Sequence, residues 1–182
     1  MAFQTADRWT RTALAAAGAL AVAAAAVLAG CVQQREPLSP GPSARTEPGF
    51  GFFLTSSVDE GAKLTYGRAN SDDVWLMLEC QPGSRKVDIY DARHPNARKG
   101  DMLTLSSGKM QSALPATVEP NQASSDGAMA VVHASPDLPA LDGFRRTGVV
   151  AVKVAGAREY TLSATEAEKT QVARFFRACE RK

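Results

Sequence analysis

The chain has 182 residues, with 21 Lys and Arg against 19 Asp and Glu and a net charge of +2 at pH 7. Both signs are interspersed, so there is no basic stripe to suit nucleic acid and no polybasic patch to serve as a second membrane signal. Less a leader and a tether, the length is that of one domain, enough to bury a core without a dense disulfide framework.

The leader comes first. Arg8 and Arg11 make a positive start, and residues 12–30 carry no charge, with Leu14, Leu20, Val22, Val27 and Leu28 set among alanines. This is the n-region and h-region layout of a secretory signal. It ends in Leu28-Ala29-Gly30-Cys31, which resembles the lipobox of bacterial lipoproteins. Small residues before the cut let a peptidase seat an extended backbone, and the Cys31 thiol would take the diacylglycerol. The resemblance implies export, cleavage before Cys31 and a membrane partner reached through lipidated Cys31, since several acyl chains together anchor stably. Val32, where aspartate marks inner-membrane retention in enteric members, points to the periplasmic side of the outer membrane. Arg8 and Arg11 are not adjacent, so a twin-arginine route is not indicated. Two other readings fit the same residues: an uncleaved anchor, since the uncharged run nearly reaches spanning length, and an ordinary secretory cut with Cys31 incidental.

Residues 32–49 read as a tether, with Pro37, Pro40, Pro42 and Pro48 among small and charged residues. That composition is too poor in apolar surface to order itself, and proline gives it an extended reach of roughly 50 Å. The expected organisation is therefore a signal peptide over 1–30, a tether over 31–49 and a globular domain over 50–182.

Phe50 to Leu54 predicts a first strand or a packed arm, and Lys63 to Arg68 a short strand. Val74 to Cys80 alternates clearly, with Val74, Leu76, Leu78 and Cys80 on one face. Gln81-Pro82-Gly83-Ser84 suits a type II turn leading into Lys86 to Tyr90, the best hairpin in the chain. Further short strands are expected at Met102–Ser106, Lys109–Leu114, Ala116–Glu119, Met129–Ala134, Val149–Val154 and Glu159–Leu162. Residues 136–144 are expected to form one helical turn inside a loop. Ser163 with Glu166 reads as a capping box opening a terminal helix over about 164–179. Its buried face would carry Val172, Phe175, Phe176 and Cys179, with Lys169, Arg174, Arg177 and Glu180 outward. The fold class that follows is mainly β, an antiparallel β-sandwich or small barrel closed by a C-terminal α-helix.

With Cys31 assigned to lipid, Cys80 and Cys179 remain. In an oxidising compartment an isolated pair usually forms a disulfide, here closing a loop worth roughly 4–5 kcal/mol in the chain-entropy picture. The alternative is two buried free thiols.

The residues of chemistry are sparse. His94 precedes Pro95 in a polar loop and reads as solvated, and His133 reads as a satisfied sheet residue. Neither has metal-ligand spacing, so no metal and no cofactor is expected. There is no Gly-x-Ser-x-Gly elbow and no Walker loop. Ser106-Ser107-Gly108-Lys109 reads as a hairpin turn, and Asp72-Asp73 as exposed. Phe144-Arg145-Arg146 could meet an anionic glycan or a partner carboxylate, or could be a solvated loop.

Glu79-Cys80-Gln81-Pro82-Gly83 followed by Val87-Asp88-Ile89-Tyr90 resembles the strand–Cys–x–x–Gly–strand opening of membrane-bound c-type lysozyme inhibitors, which are small disulfide-bonded envelope β-barrels. Their inhibitory loop reads Ser-Gly-x-x-Tyr. Here Ser107-Gly108-Lys109-Met110-Gln111 has glutamine in place of the tyrosine, and that family has no long terminal helix. The Cys80-Gln81-Pro82-Gly83-Ser84 hairpin and the Phe175-Phe176-x-x-Cys179 ending also resemble uncharacterised envelope lipoproteins of alphaproteobacteria. The leading expectation is a non-catalytic binding or assembly component of the envelope, with a protein or glycan partner. Candidate binding residues are Phe144, Arg145, Arg146, Ser107 and Lys109, and no catalytic residue is assigned. The alternatives are a lysozyme-inhibitor-like binder and a weak hydrolase built on His133 with a serine.

Overall fold

The computed structural model describes residues 48–57, 60–121 and 127–180. The leader, Cys31 and nearly all of the expected tether lie outside the described residues. Among the described residues ten strands and two helices follow in chain order: β1 (Phe50–Ser57), β2 (Gly61–Arg68), β3 (Val74–Cys80), β4 (Val87–Asp91), β5 (Met102–Ser107), β6 (Met110–Pro115), β7 (Thr117–Pro120), β8 (Ala128–Ala134), α1 (Pro139–Thr147), β9 (Val149–Val154), β10 (Tyr160–Ser163) and α2 (Glu166–Glu180). Among the described residues no helix is long and apolar enough to cross a membrane.

The strands form two antiparallel sheets. One has six strands in the order β1-β2-β3-β4-β8-β7, the other four in the order β10-β9-β5-β6. Neither sheet closes on itself, so the architecture is sandwich-like and not a barrel. The alternation of β3 is realised: Leu76, Leu78 and Cys80 are buried, and Trp75, Met77 and Glu79 are half-buried. From the six-stranded sheet Leu76, Leu78 and Ile89 meet Leu105 and Val150 of the other sheet and Leu141 and Phe144 of α1, around a void with no room for water. One continuous core therefore takes in both sheets and both helices.

The β3–β4 hairpin is as expected. The Ser84 N–H donates to the Gln81 carbonyl at 3.0 Å, and Gly83 supplies φ of 69°. Gly108, at φ 59°, takes the first central position of the tight β5–β6 turn, where a primed turn needs a positive φ.

Two expectations are corrected. Residues 136–144 are not one turn in a loop; α1 is a nine-residue helix whose Ala140, Leu141, Gly143 and Phe144 are buried. Proline is at home at the first helical position and glycine just past the last, and Pro139 and Gly148 take those places. Gly148 has φ of 73°, and its N–H donates to the Phe144 carbonyl at 2.8 Å. Gly143 lets the helix rest on β5, because a Cβ there would lie 2.9 Å from the Ser107 Cβ. The second correction concerns the start of α2. Ser163 ends β10, and the capping box is Thr165 with Glu168: the Thr165 N–H donates to Glu168 Oε2 at 2.8 Å, and the Glu168 N–H to Thr165 Oγ1 at 3.4 Å. The buried face of α2 is Val172, Phe175, Phe176 and Cys179, as its periodicity predicts. Cys179 and Cys80 form a disulfide with Cα atoms 5.6 Å apart, joining helix to sheet across 99 residues of chain.

Candidate functional site

The densest polar cluster among the buried residues forms where β4 ends. On β4 the inward positions are Val87, Ile89 and Asp91, so the alternation that buries two apolar side chains also buries a carboxylate. Asp91 is met by donors. Its Oδ1 accepts from the Arg93 N–H at 3.0 Å and from the Tyr160 hydroxyl at 2.9 Å, and its Oδ2 bonds His94 Nδ1. His94 is only 7 % exposed. Its other nitrogen, Nε2, lies 2.9 Å from the Arg158 carbonyl oxygen. A carboxylate and a carbonyl accept, so the two contacts are both satisfied when the ring carries two protons, as imidazolium.

The shift of His94 follows from the same contacts. Burial lowers its pKa, but the hydrogen bond to Asp91, the hydrogen bond to the Arg158 carbonyl and the Asp91 charge together raise it above the ordinary histidine value, against a smaller opposing push from Arg93. Burial, then the Asp91 charge, holds the Tyr160 hydroxyl well above its usual range, so it stays neutral and donates. The Arg93 guanidinium turns away and lies 3.8 Å from the centre of the Trp75 ring. Trp75 in turn contacts Phe50 at 5.0 Å and Tyr160 at 6.1 Å, closing the cluster with aromatic surface. Both nitrogens of His94 are engaged by protein acceptors, and neither is turned to a substrate. The arrangement is a polar lock between the end of β4, the loop after it and the β9–β10 turn.

The expectation that His94 is solvated is thus overturned. His133 does face solvent. Its side chain is 68 % exposed, and Nδ1 lies 2.6 Å from Asp88 Oδ1, its cross-strand partner on β4. The structure brings no serine hydroxyl to its ring as a hydrogen-bond partner among the described residues. Asp72 and Asp73 are exposed, as expected.

The five candidate binding residues do not form one surface. Phe144 is fully buried and contacts Phe52 at 5.3 Å and Phe176 at 6.2 Å, because helical periodicity turns it inward while Arg145 and Arg146 turn out. Arg145 pairs with Glu180 at 2.5 Å and Arg146 with Asp142 at 3.3 Å. Ser107 is 3 % exposed, with its hydroxyl 3.0 Å from Thr147 Oγ1. The β5–β6 turn therefore presents Lys109 and Met110 to solvent, without Ser107.

A feature the sequence did not signal is a groove of about 370 Å³ lined by Leu54 and Ser56 of β1, Ala62 of β2, and Arg174, Arg177 and Ala178 of α2. Its two arginines read as an ordinary solvated helix face, since only the tertiary fold brings them over β1. Among the described residues no group of three or more His, Cys, Asp or Glu could hold a metal. Comparison with protein-family models, curated proteins and solved structures finds no match to this chain.

Proposed function

We propose that the chain is an exported lipoprotein, cleaved before Cys31, lipid-anchored on the periplasmic side of the outer membrane, and that its sandwich domain binds a partner of the envelope without turning over a substrate. The observation that carries this reading is the Cys80–Cys179 disulfide in a chain that opens with a leader and the Leu28-Ala29-Gly30-Cys31 sequence. A structural disulfide persists in an oxidising compartment, and the leader supplies a route there. The engaged nitrogens of His94, and the exposed His133 paired with Asp88 and without a serine hydroxyl on its ring, support binding over catalysis.

Two measurements test the reading. Cys31→Ser should move the protein from the membrane fraction to the soluble fraction; an unchanged distribution would sink the lipoprotein assignment. The immobilised full chain should capture a saturable partner from detergent-solubilised envelope extract, with lysozyme spiked in as one competitor. Failure to capture anything above background removes the binding role.

A further inference from the structure

We propose that the groove between the end of β1 and α2 receives an extended acidic segment of a partner protein, which meets the backbone of β1 at Ser56 and sets its carboxylates on Arg174 and Arg177. This rests on the binding role proposed above and assigns it a place and a chemistry.

The edge is the first ground. Among the described residues β1 is the outermost strand of its sheet and pairs with β2 alone. The Leu54 N–H points off the sheet and is taken by Gln171 Oε1 of α2 at 2.8 Å. In an antiparallel pair such groups recur every second residue, so Ser56 presents its N–H and carbonyl on the same side. Unpaired backbone groups on a strand edge are a template for another chain, and here α2 occupies the edge with Gln171 at Leu54 and Glu168 beside Gly51, leaving a groove at Ser56.

The charge is the second ground. Lys63 is engaged by Glu79 at 3.3 Å, and Glu180, the last residue of α2, is engaged by Arg145. Among the described residues no ion pair involves Arg174 or Arg177. Like charges one helical turn apart repel, and a carboxylate between them relieves that repulsion while accepting the planar fork of each guanidinium.

The floor is the third. Ala62, Ala178 and Ser56 are small, which is why the groove exists, and its volume falls within the range of ligand sites. Ala62 pairs across the strands with Cys80, and Ala178 precedes Cys179, so the disulfide fixes both walls. A pre-shaped groove avoids part of the ordering cost of binding. Backbone contact at a strand edge with side-chain pockets is a recurrent mode of peptide recognition.

The test is a random-peptide display panned against the full chain in detergent micelles, followed by titration of the selected peptides. The selected sequences should be rich in Asp and Glu, and R174E/R177E should weaken them by about tenfold or more, with R174K/R177K intermediate because the fork is lost and the charge kept. Both variants sit on exposed positions and should keep the wild-type far-ultraviolet spectrum and disulfide. Absence of enrichment, or peptides indifferent to R174E/R177E, overturns the proposal. Competition by phosphatidylglycerol vesicles also overturns it, reassigning the groove to an anionic membrane surface. If the envelope partner is captured equally well by R174E/R177E, the binding role stands and the groove assignment falls.

Discussion

Strand β3 carries a different closure at each end. At Cys80 the sheet is joined to α2 by a covalent bond, backed by the buried rings of Phe175 and Phe176. At Trp75, whose carbonyl accepts from the Ala92 N–H, the sheet is joined to the β9–β10 turn through Asp91, His94 and Tyr160. The first closure is apolar, covalent and indifferent to charge. The second buries charged and polar groups, whose desolvation offsets much of their attraction, and all its hydrogen bonds are made at once only while His94 carries its second proton. A polar lock of this kind specifies geometry more than it adds stability, because each donor must meet a particular acceptor. The covalent end also borders the proposed binding groove, where a fixed shape matters most.

The largest expected effect removes the covalent closure. Cys80→Ser with Cys179→Ser should lower the unfolding free energy by roughly 4 kcal/mol, given a loop of this length, read by urea denaturation. A loss below about 1 kcal/mol would mean that the packing of Phe175 and Phe176 holds α2 unaided. Next comes the polar lock. Asp91→Ala leaves His94 Nδ1 and the Tyr160 hydroxyl buried without their acceptor, and each buried polar group left unsatisfied costs roughly 1–3 kcal/mol. An effect under about 1 kcal/mol would show that water and the Arg158 carbonyl suffice for His94.

The smallest effect is the sharpest discriminator, because the disulfide end does not titrate in this range. The folded pKa of His94 is raised above its unfolded value of 6.5. Its contribution is therefore complete below about pH 6.5 and is lost as pH rises through the folded pKa. The groups facing it are Asp91 from β4, Tyr160 from β10, the Arg158 carbonyl and the side chain of Arg93. Wild-type protein should lose stability as pH is raised above neutrality, and His94→Gln should lack that component. Superimposable pH profiles would mean that His94 carries no second proton in the folded state.

The two ends also differ in how legible they were. The covalent end followed from local rules: alternation gave the bounds of β3 as observed, a 3.6-residue period put Cys179 on the buried face of α2, and compartment paired it with Cys80. The polar end depends on contacts between positions 64 and 69 residues apart, made by loop and strand-end side chains with no period to read. His94 before Pro95 looks like any loop histidine until Arg158 is placed beside it. Phe144 was drawn into a surface cluster by its neighbours Arg145 and Arg146, and only the recognition of α1 as a helix separates them. Ser163-x-x-Glu166 and Thr165-x-x-Glu168 both satisfy the capping-box pattern, and only the length of β10 decides between them. The groove needs the pairing of β1 with β2 and the seat of α2 at once, which no single segment encodes.

The most direct test of the account is the intact mass of the protein extracted from membranes without reductant. It should correspond to a chain beginning at Cys31, carrying the mass of its acyl groups and lacking the two hydrogens of one disulfide. A chain that begins elsewhere without acyl mass, or one with Cys80 and Cys179 as free thiols, would contradict it.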